Sequence, residues 1–228
     1  MSEKFWILEL SGTRTARWDT GNKWRKHDYE DCLANSDKET YISFGGPANR
    51  VSNLRVVLKT KDIGDFVWTI PDCLIQSHVL EMFRNEGFTG FEARQALTRI
   101  ESSTLEPDLW ELMVTGWGGM ATAKSGVVRI PETNIWEGYP DWSCIVDPNS
   151  WDGSDFFIVW PFAFTRLVSD RVAKFIREKK LTGVKLVTPD AYTRWYMWSN
   201  LRQIRTMRLR DHYPEERARE VGEPLGIY

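Results

Sequence analysis

The strongest constraint in this sequence is an internal repeat. Residues 74–92, LIQSHVLEMFRNEGFTGFE, lie over residues 167–185, LVSDRVAKFIREKKLTGVK, without a gap. Leu74/Leu167, Val79/Val172, Arg84/Arg177, Thr89/Thr182 and Gly90/Gly183 are identical. Apolar type is kept at Ile75/Val168, Met82/Phe175, Phe83/Ile176, Phe88/Leu181 and Phe91/Val184, while Glu81/Lys174 and Glu92/Lys185 differ in charge. Apolar positions that persist while polar ones drift mark a repeated packing module. A Val-Trp dipeptide precedes each copy, at Val67-Trp68 and at Val159-Trp160.

Each copy reads as the same small unit. An apolar pair ends a strand, and Ser77 or Ser169 is placed to cap a helix. Val79, Met82 and Phe83, or Val172, Phe175 and Ile176, then make one apolar helix face. Thr-Gly follows, where glycine turns the chain into a short strand. Thr-Gly as a phosphate turn would need further glycines and a helix after it, and neither is present.

Other strands are expected at 5–10, 54–58, 65–68, 109–115, 125–130 and 156–160, from apolar runs or alternation. Gly116-Trp-Gly-Gly119 is expected to break the 109–115 strand. Residues 11–50 and 131–150 read as irregular or loop. From Arg194 to Arg210 there are five arginines and no acids, and apolar residues fall at helical spacing, which predicts a basic helix over about 190–210. The tail from Pro214 reads as extended or loosely docked. The expected class is therefore α+β, with a mixed or antiparallel sheet, two related helix–Thr-Gly–strand units (about 66–93 and 158–187) and a C-terminal basic helix. Residues 1–192 form the main domain in this reading, and 193–228 a C-terminal helix and tail.

With 42% hydrophobic and 27% charged residues in 228, a globular core is expected rather than disorder. The start, Met1-Ser-Glu-Lys-Phe-Trp-Ile-Leu-Glu-Leu10, has no cationic segment followed by an apolar one, so no signal peptide is read. No stretch is apolar enough for a membrane span. Three cysteines, Cys32, Cys73 and Cys144, with no CxxC, argue for free thiols in a reducing compartment rather than disulfides or zinc. A cytoplasmic location follows as the expectation.

Net charge is only −2, but it is unevenly spread. Residues 101–160 carry Glu101, Glu106, Asp108, Glu111, Glu132, Glu137, Asp141, Asp147, Asp152 and Asp155 against Lys124 and Arg129 alone. The C-terminal stretch is basic. Such asymmetry gives either an internal electrostatic match or two faces for different partners. Of the three histidines, His27, His78 and His212, none stands in a nucleophile motif, and no catalytic residue is assigned. Asp152 and Asp155, flanking Gly153-Ser154 on a turn before a buried strand, form a carboxylate pair that could bind a metal or act as acid and base. The preferred reading is an Asx-type turn in which Asp152 caps backbone N–H groups, and a third is a rim of acids that engages a basic partner. No cofactor or metal is expected.

Three segments together resemble a known family. They are Leu109-Trp-Glu-Leu running to Val114-Thr-Gly-Trp-Gly-Gly-Met120, Trp151-Asp-Gly-Ser-Asp-Phe-Phe157 leading to Val159-Trp-Pro161, and Leu181-Thr-Gly-Val184 after a helix. With Gly21 to Trp24, these resemble the double-CXXCG motif proteins, a paralogous family abundant in myxobacteria. The resemblance covers roughly residues 62–188. It implies an immunity protein that neutralises a cognate antibacterial toxin and is not an enzyme. The family's cysteines are missing: Cys32 has no CXXCG partner, and 129–142 contains no cysteine. Any zinc those cysteines hold in the family is not expected here.

The resulting expectation is a binding protein whose partner is a toxin, neither a membrane nor, as its main ligand, a nucleic acid. Its oligomeric state is left open. Large aromatics carry interface affinity and charges speed association. The expected contact residues therefore lie in the loop 131–155: Trp136, Trp142, Trp151, Asp152 and Asp155. The alternatives are a metal-dependent hydrolase built on Asp152 and Asp155, and a nucleic-acid binder using the arginine-rich helix.

Overall fold

The computed structural model describes residues 4–12, 16–18, 53–69, 72–101, 103–130, 135–138, 144–189 and 209–228. The class is α+β. The arginine-rich segment 190–208 lies outside the described residues, as do Cys32 and Trp142.

The first repeat copy runs β4 (Phe66–Trp68), β5 (Cys73–Gln76), α1 (Ser77–Asn85) and β6 (Phe91–Gln95), and the second runs β12 (Phe156–Trp160), β13 (Leu167–Ser169), α2 (Asp170–Glu178) and β14 (Val184–Val187). Each copy is thus two antiparallel strands, a helix and a returning strand. Neither sheet closes on its own. In the first, β8 (Leu109–Val114) lies between β5 and β6, giving the order β4-β5-β8-β6. In the second, β1 (Phe5–Leu10) lies between β13 and β14, and β9 (Gly116–Met120) adds in parallel beyond β12, giving β14-β1-β13-β12-β9.

The two inserted strands are equivalent residue by residue. Trp6 stands opposite Val168 and Trp110 opposite Ile75, positions that the repeat aligns. Leu10 stands opposite Val184 and Val114 opposite Phe91, again an aligned pair. Arg177 of α2 covers the Trp6 ring at 4.0 Å and Arg84 of α1 covers Trp110 at 5.8 Å, a cation–π contact made twice.

Of the expected faces, α2 buries Val172, Phe175 and Ile176 and adds Ala173, while α1 buries Val79 and Phe83 with Leu80, Met82 being only partly buried. Both sheets and both helices share one core. Phe83 sits at its centre, with the rings of Phe66, Phe88, Phe91, Phe156 and Phe175 at 5.3–6.2 Å. Three of these partners belong to its own copy and two to the other, so the aromatic cluster joins the units. Ser169 caps α2 by accepting from the Val172 amide, but α1 is capped by Gln76 without a side-chain bond. Ser77 is the first helical residue and aligns with Asp170, one position past the cap.

A smaller sheet, β2 (Ala16–Trp18), β3 (Arg55–Leu58) and β7 (Leu97–Ile100), covers the outer face of β4-β5-β8. Val67, Leu74 and Leu109 point into this second core with Val56, Leu58 and Ile100. The four-stranded sheet is therefore buried on both faces in that region, which is why β4 and β5 read as continuous apolar runs.

Several sequence expectations change. Gly116-Trp-Gly-Gly119 interrupts β8 at Thr115 but continues as β9, whose glycines let Phe157 and Ile158 of the neighbouring strand come close. Part of the expected 131–150 loop is strand: β11 (Ile135–Gly138) pairs with β10 (Val127–Ile130). The tail is docked rather than extended. It forms α3 (Glu215–Gly222), and Leu209, Tyr213, Ala218 and Ile227 enter the main core. The Tyr213 hydroxyl donates to the Gly116 carbonyl at 2.9 Å. Burial pushes the Cys73 thiol up to about 12 and that of Cys144 higher still, so both are inert, buried free thiols. Among the described residues no helix is long and apolar enough to cross a membrane.

His212 is buried between Trp160 and Phe164, with ring centroids 5.8 and 5.4 Å away. Burial pushes its imidazole down to about 3. An unfolded chain takes up this proton near the ordinary value of about 6.5. The neutral ring therefore contributes stability that is complete above that pH and is lost as pH falls toward 3. Between pH 6.5 and 4.5, wild type should lose up to about 1.4 kcal/mol per pH unit relative to His212→Phe. Urea unfolding of both proteins across that range measures the difference.

Candidate functional site

The Trp-Asp-Gly-Ser-Asp-Phe-Phe segment lies where the two units meet. Gly153, with φ +86°, turns the chain so that Asp152 and Asp155 point to different neighbours. The Asp152 carboxylate accepts the Trp117 amide at 2.8 Å and the Ser154 amide at 2.9 Å. It also accepts the Ser154 hydroxyl and pairs with Arg217 of α3. Asp152 is thus an Asx-type turn residue and the tie that fastens α3, because Arg217 also donates to the Thr115 carbonyl at 3.2 Å.

Asp155 joins the units. Its carboxylate accepts the Thr89 amide at 3.1 Å, the Thr89 hydroxyl at 3.4 Å and the Ser169 hydroxyl at 2.7 Å, and it pairs with Arg171 at 3.0 Å. The Asp155 amide donates to the Thr89 hydroxyl in return, and the Phe156 amide to the Thr89 carbonyl. The Thr-Gly turn of the first copy is thereby gripped by the second.

The same grip exists in reverse. Asp65 accepts the Thr182 amide and hydroxyl, each at 2.7 Å, and its own amide donates to the Thr182 hydroxyl. The Phe66 amide donates to the Thr182 carbonyl at 3.0 Å. His78 stands where Arg171 does, 2.8 Å from Asp65. Burial pushes the Asp65 carboxyl up, but the Thr182 bonds and His78 outweigh it and hold the group below its usual range. Asp65-Phe66 and Asp155-Phe156 are therefore the equivalent pairs, and the two Val-Trp dipeptides are not. The link β4–β5 is shorter than β12–β13, so the repeat slips out of register upstream of residue 74. That slip hides Asp65 and the role of both threonines from a gapless alignment.

The glycine of each turn is explained by the same contact. Gly90 and Gly183 have φ +79° and +77°, and a Cβ on either would strike the carbonyl oxygen of the opposing Phe156 or Phe66.

Of the residues expected to contact a partner, Trp151 is half-buried. It packs edge-on against Phe5 at 5.1 Å, and its indole donates to the Ser154 carbonyl. Asp152 and Asp155 are engaged as described. Trp136 lies on β11, in register opposite Arg129. Among the described residues no three His, Cys, Asp or Glu gather in a way that could hold a metal. The acidic stretch comes to the surface elsewhere: Glu101, Glu106 and Asp108 are exposed in the connection between β7 and β8, around Leu105, which is 60% exposed. No protein-family model and no curated protein matches the sequence.

The two grips differ in burial, and their variants should differ accordingly. Asp155→Asn is expected to cost about 2–4 kcal/mol, because buried donors lose a charged acceptor. Asp65→Asn, at the more open site, should cost about 1 kcal/mol. Gly183→Ala should cost more than about 2 kcal/mol through a strained φ and a backbone clash. Equilibrium urea unfolding ranks all three.

Proposed function

We propose that this chain is an immunity protein: a cytoplasmic binding protein that takes up a cognate antibacterial toxin and occludes its active site. The observation that carries the reading is the saturation of Asp152 and Asp155. A carboxylate offers about four acceptor positions. Each of these two receives four contacts from its own chain. A metal-dependent hydrolase would need those positions for its ion or its water. Their use as fasteners favours a scaffold that presents a surface over one that runs a reaction.

Support also comes from the family resemblance and from charge. Glu101, Glu106 and Asp108 surround Leu105 on one exposed connection, an arrangement that suits a basic partner. The segment carrying Trp136 and Trp142 remains the other candidate contact region.

The direct test is co-purification with the product of the neighbouring gene, followed by titration. Binding at or below micromolar concentration is expected, together with loss of the toxin's activity. Glu106→Lys should slow association by about threefold at low salt and leave unfolding unchanged. Absence of binding at micromolar concentration would remove the immunity reading.

A further inference from the structure

We infer that this chain is a strand-exchanged dimer written as one polypeptide, in which each half is the binding partner that completes the other. Along the sequence the order is strand, ββαβ unit, strand, ββαβ unit. Two self-contained units would each hold their own leading strand, with β1 between β5 and β6. The opposite is seen. β1 pairs only with β13 and β14 of the second unit, and β8 pairs only with β5 and β6 of the first.

With the chain divided at the exposed connection around Leu105, β1 and β8 are the only described strands that pair across the division. Without the donated strand each half has a gap in the middle of its sheet, bordered by backbone donors and acceptors that need partners. The groove takes an extended apolar segment whose tryptophan slides under an arginine: Trp6 under Arg177, or Trp110 under Arg84. The exchange is locked twice, because Asp65 holds Thr182 and Asp155 holds Thr89 across the same division. The inference concerns how the halves bind each other and does not rest on the toxin-binding reading.

A protease site inserted between Thr104 and Leu105 of the full chain tests it. After cleavage of the folded protein, the two fragments should co-elute at the size of the uncut chain. They should separate in denaturant and reunite on its removal. Fragments that part in native buffer at micromolar concentration, each folded, would overturn the inference. A second test leaves the chain uncut. Leu8 faces Leu186 across the exchanged strand, and by the repeat it would face Ala93 if each half kept its own strand. Oxidised Leu8→Cys/Leu186→Cys should give the 8–186 bridge by mass mapping, and Leu8→Cys/Ala93→Cys should give none. The reverse result would sink the proposal.

Discussion

The reciprocal grip of aspartate on Thr-Gly is the contact on which the rest of this molecule depends. An aspartate just ahead of a strand accepts the amide of the opposing threonine and exchanges a bond with its hydroxyl, while the next residue, a phenylalanine, donates to the threonine carbonyl. Made twice about a pseudo-twofold relation, this contact sets how the two sheets approach. The approach places both Phe66 and Phe156 against Phe83, so the polar fastening and the aromatic core fix the same geometry. Buried polar groups of this kind are valuable only when every member is satisfied. Here each threonine is satisfied from the other unit, while Ser169 and Arg171, or His78, complete each aspartate from its own.

The relation is not perfect, and its departures are chemical. One grip is backed by the Arg171 guanidinium and the other by the His78 imidazole, a smaller and differently shaped donor. Trp6 donates its indole N–H to Asp170 at 3.0 Å, while the buried indole N–H of Trp110 finds no partner among the described residues. Ile7 is matched by Glu111, buried where the second core covers the first sheet. The covering sheet β2-β3-β7 belongs to one unit alone, and the docked tail with α3 belongs to the other. Duplication supplied the frame, and the added pieces distinguish its two sides.

Much of the frame was legible in the sequence. The helix faces, the Thr-Gly turns and strands β1, β5, β8 and β12 follow from apolar spacing that tertiary structure did not override. Strand partnership was not legible, because Phe-Trp-Ile-Leu and Leu-Trp-Glu-Leu fit either groove and local pattern carries no address. The grips were hidden by a change of loop length, which shifted Asp65 against Asp155 and made two unrelated Val-Trp pairs look equivalent. Glycine is poor in strands, so the sequence of β9 reads as a break, yet here close backbone approach requires it. Asp152 and Asp155 stand out in the sequence as carboxylates about a glycine turn, and the fold fills their acceptors from within.

The placement of β1 also bears on how the protein is made. Its six residues leave the ribosome long before the strands that flank it, which are encoded at 167–169 and 184–187. At about 5–20 residues per second, an apolar, tryptophan-bearing segment waits on the order of 10 to 40 s for its seat. The first ββαβ unit meanwhile has an open groove of matching pattern next to it. Vectorial synthesis thus sets a competition between a near, early groove and a distant, late one. The nascent chain reaches its final form only if the early pairing is weak enough to be displaced when β8 arrives.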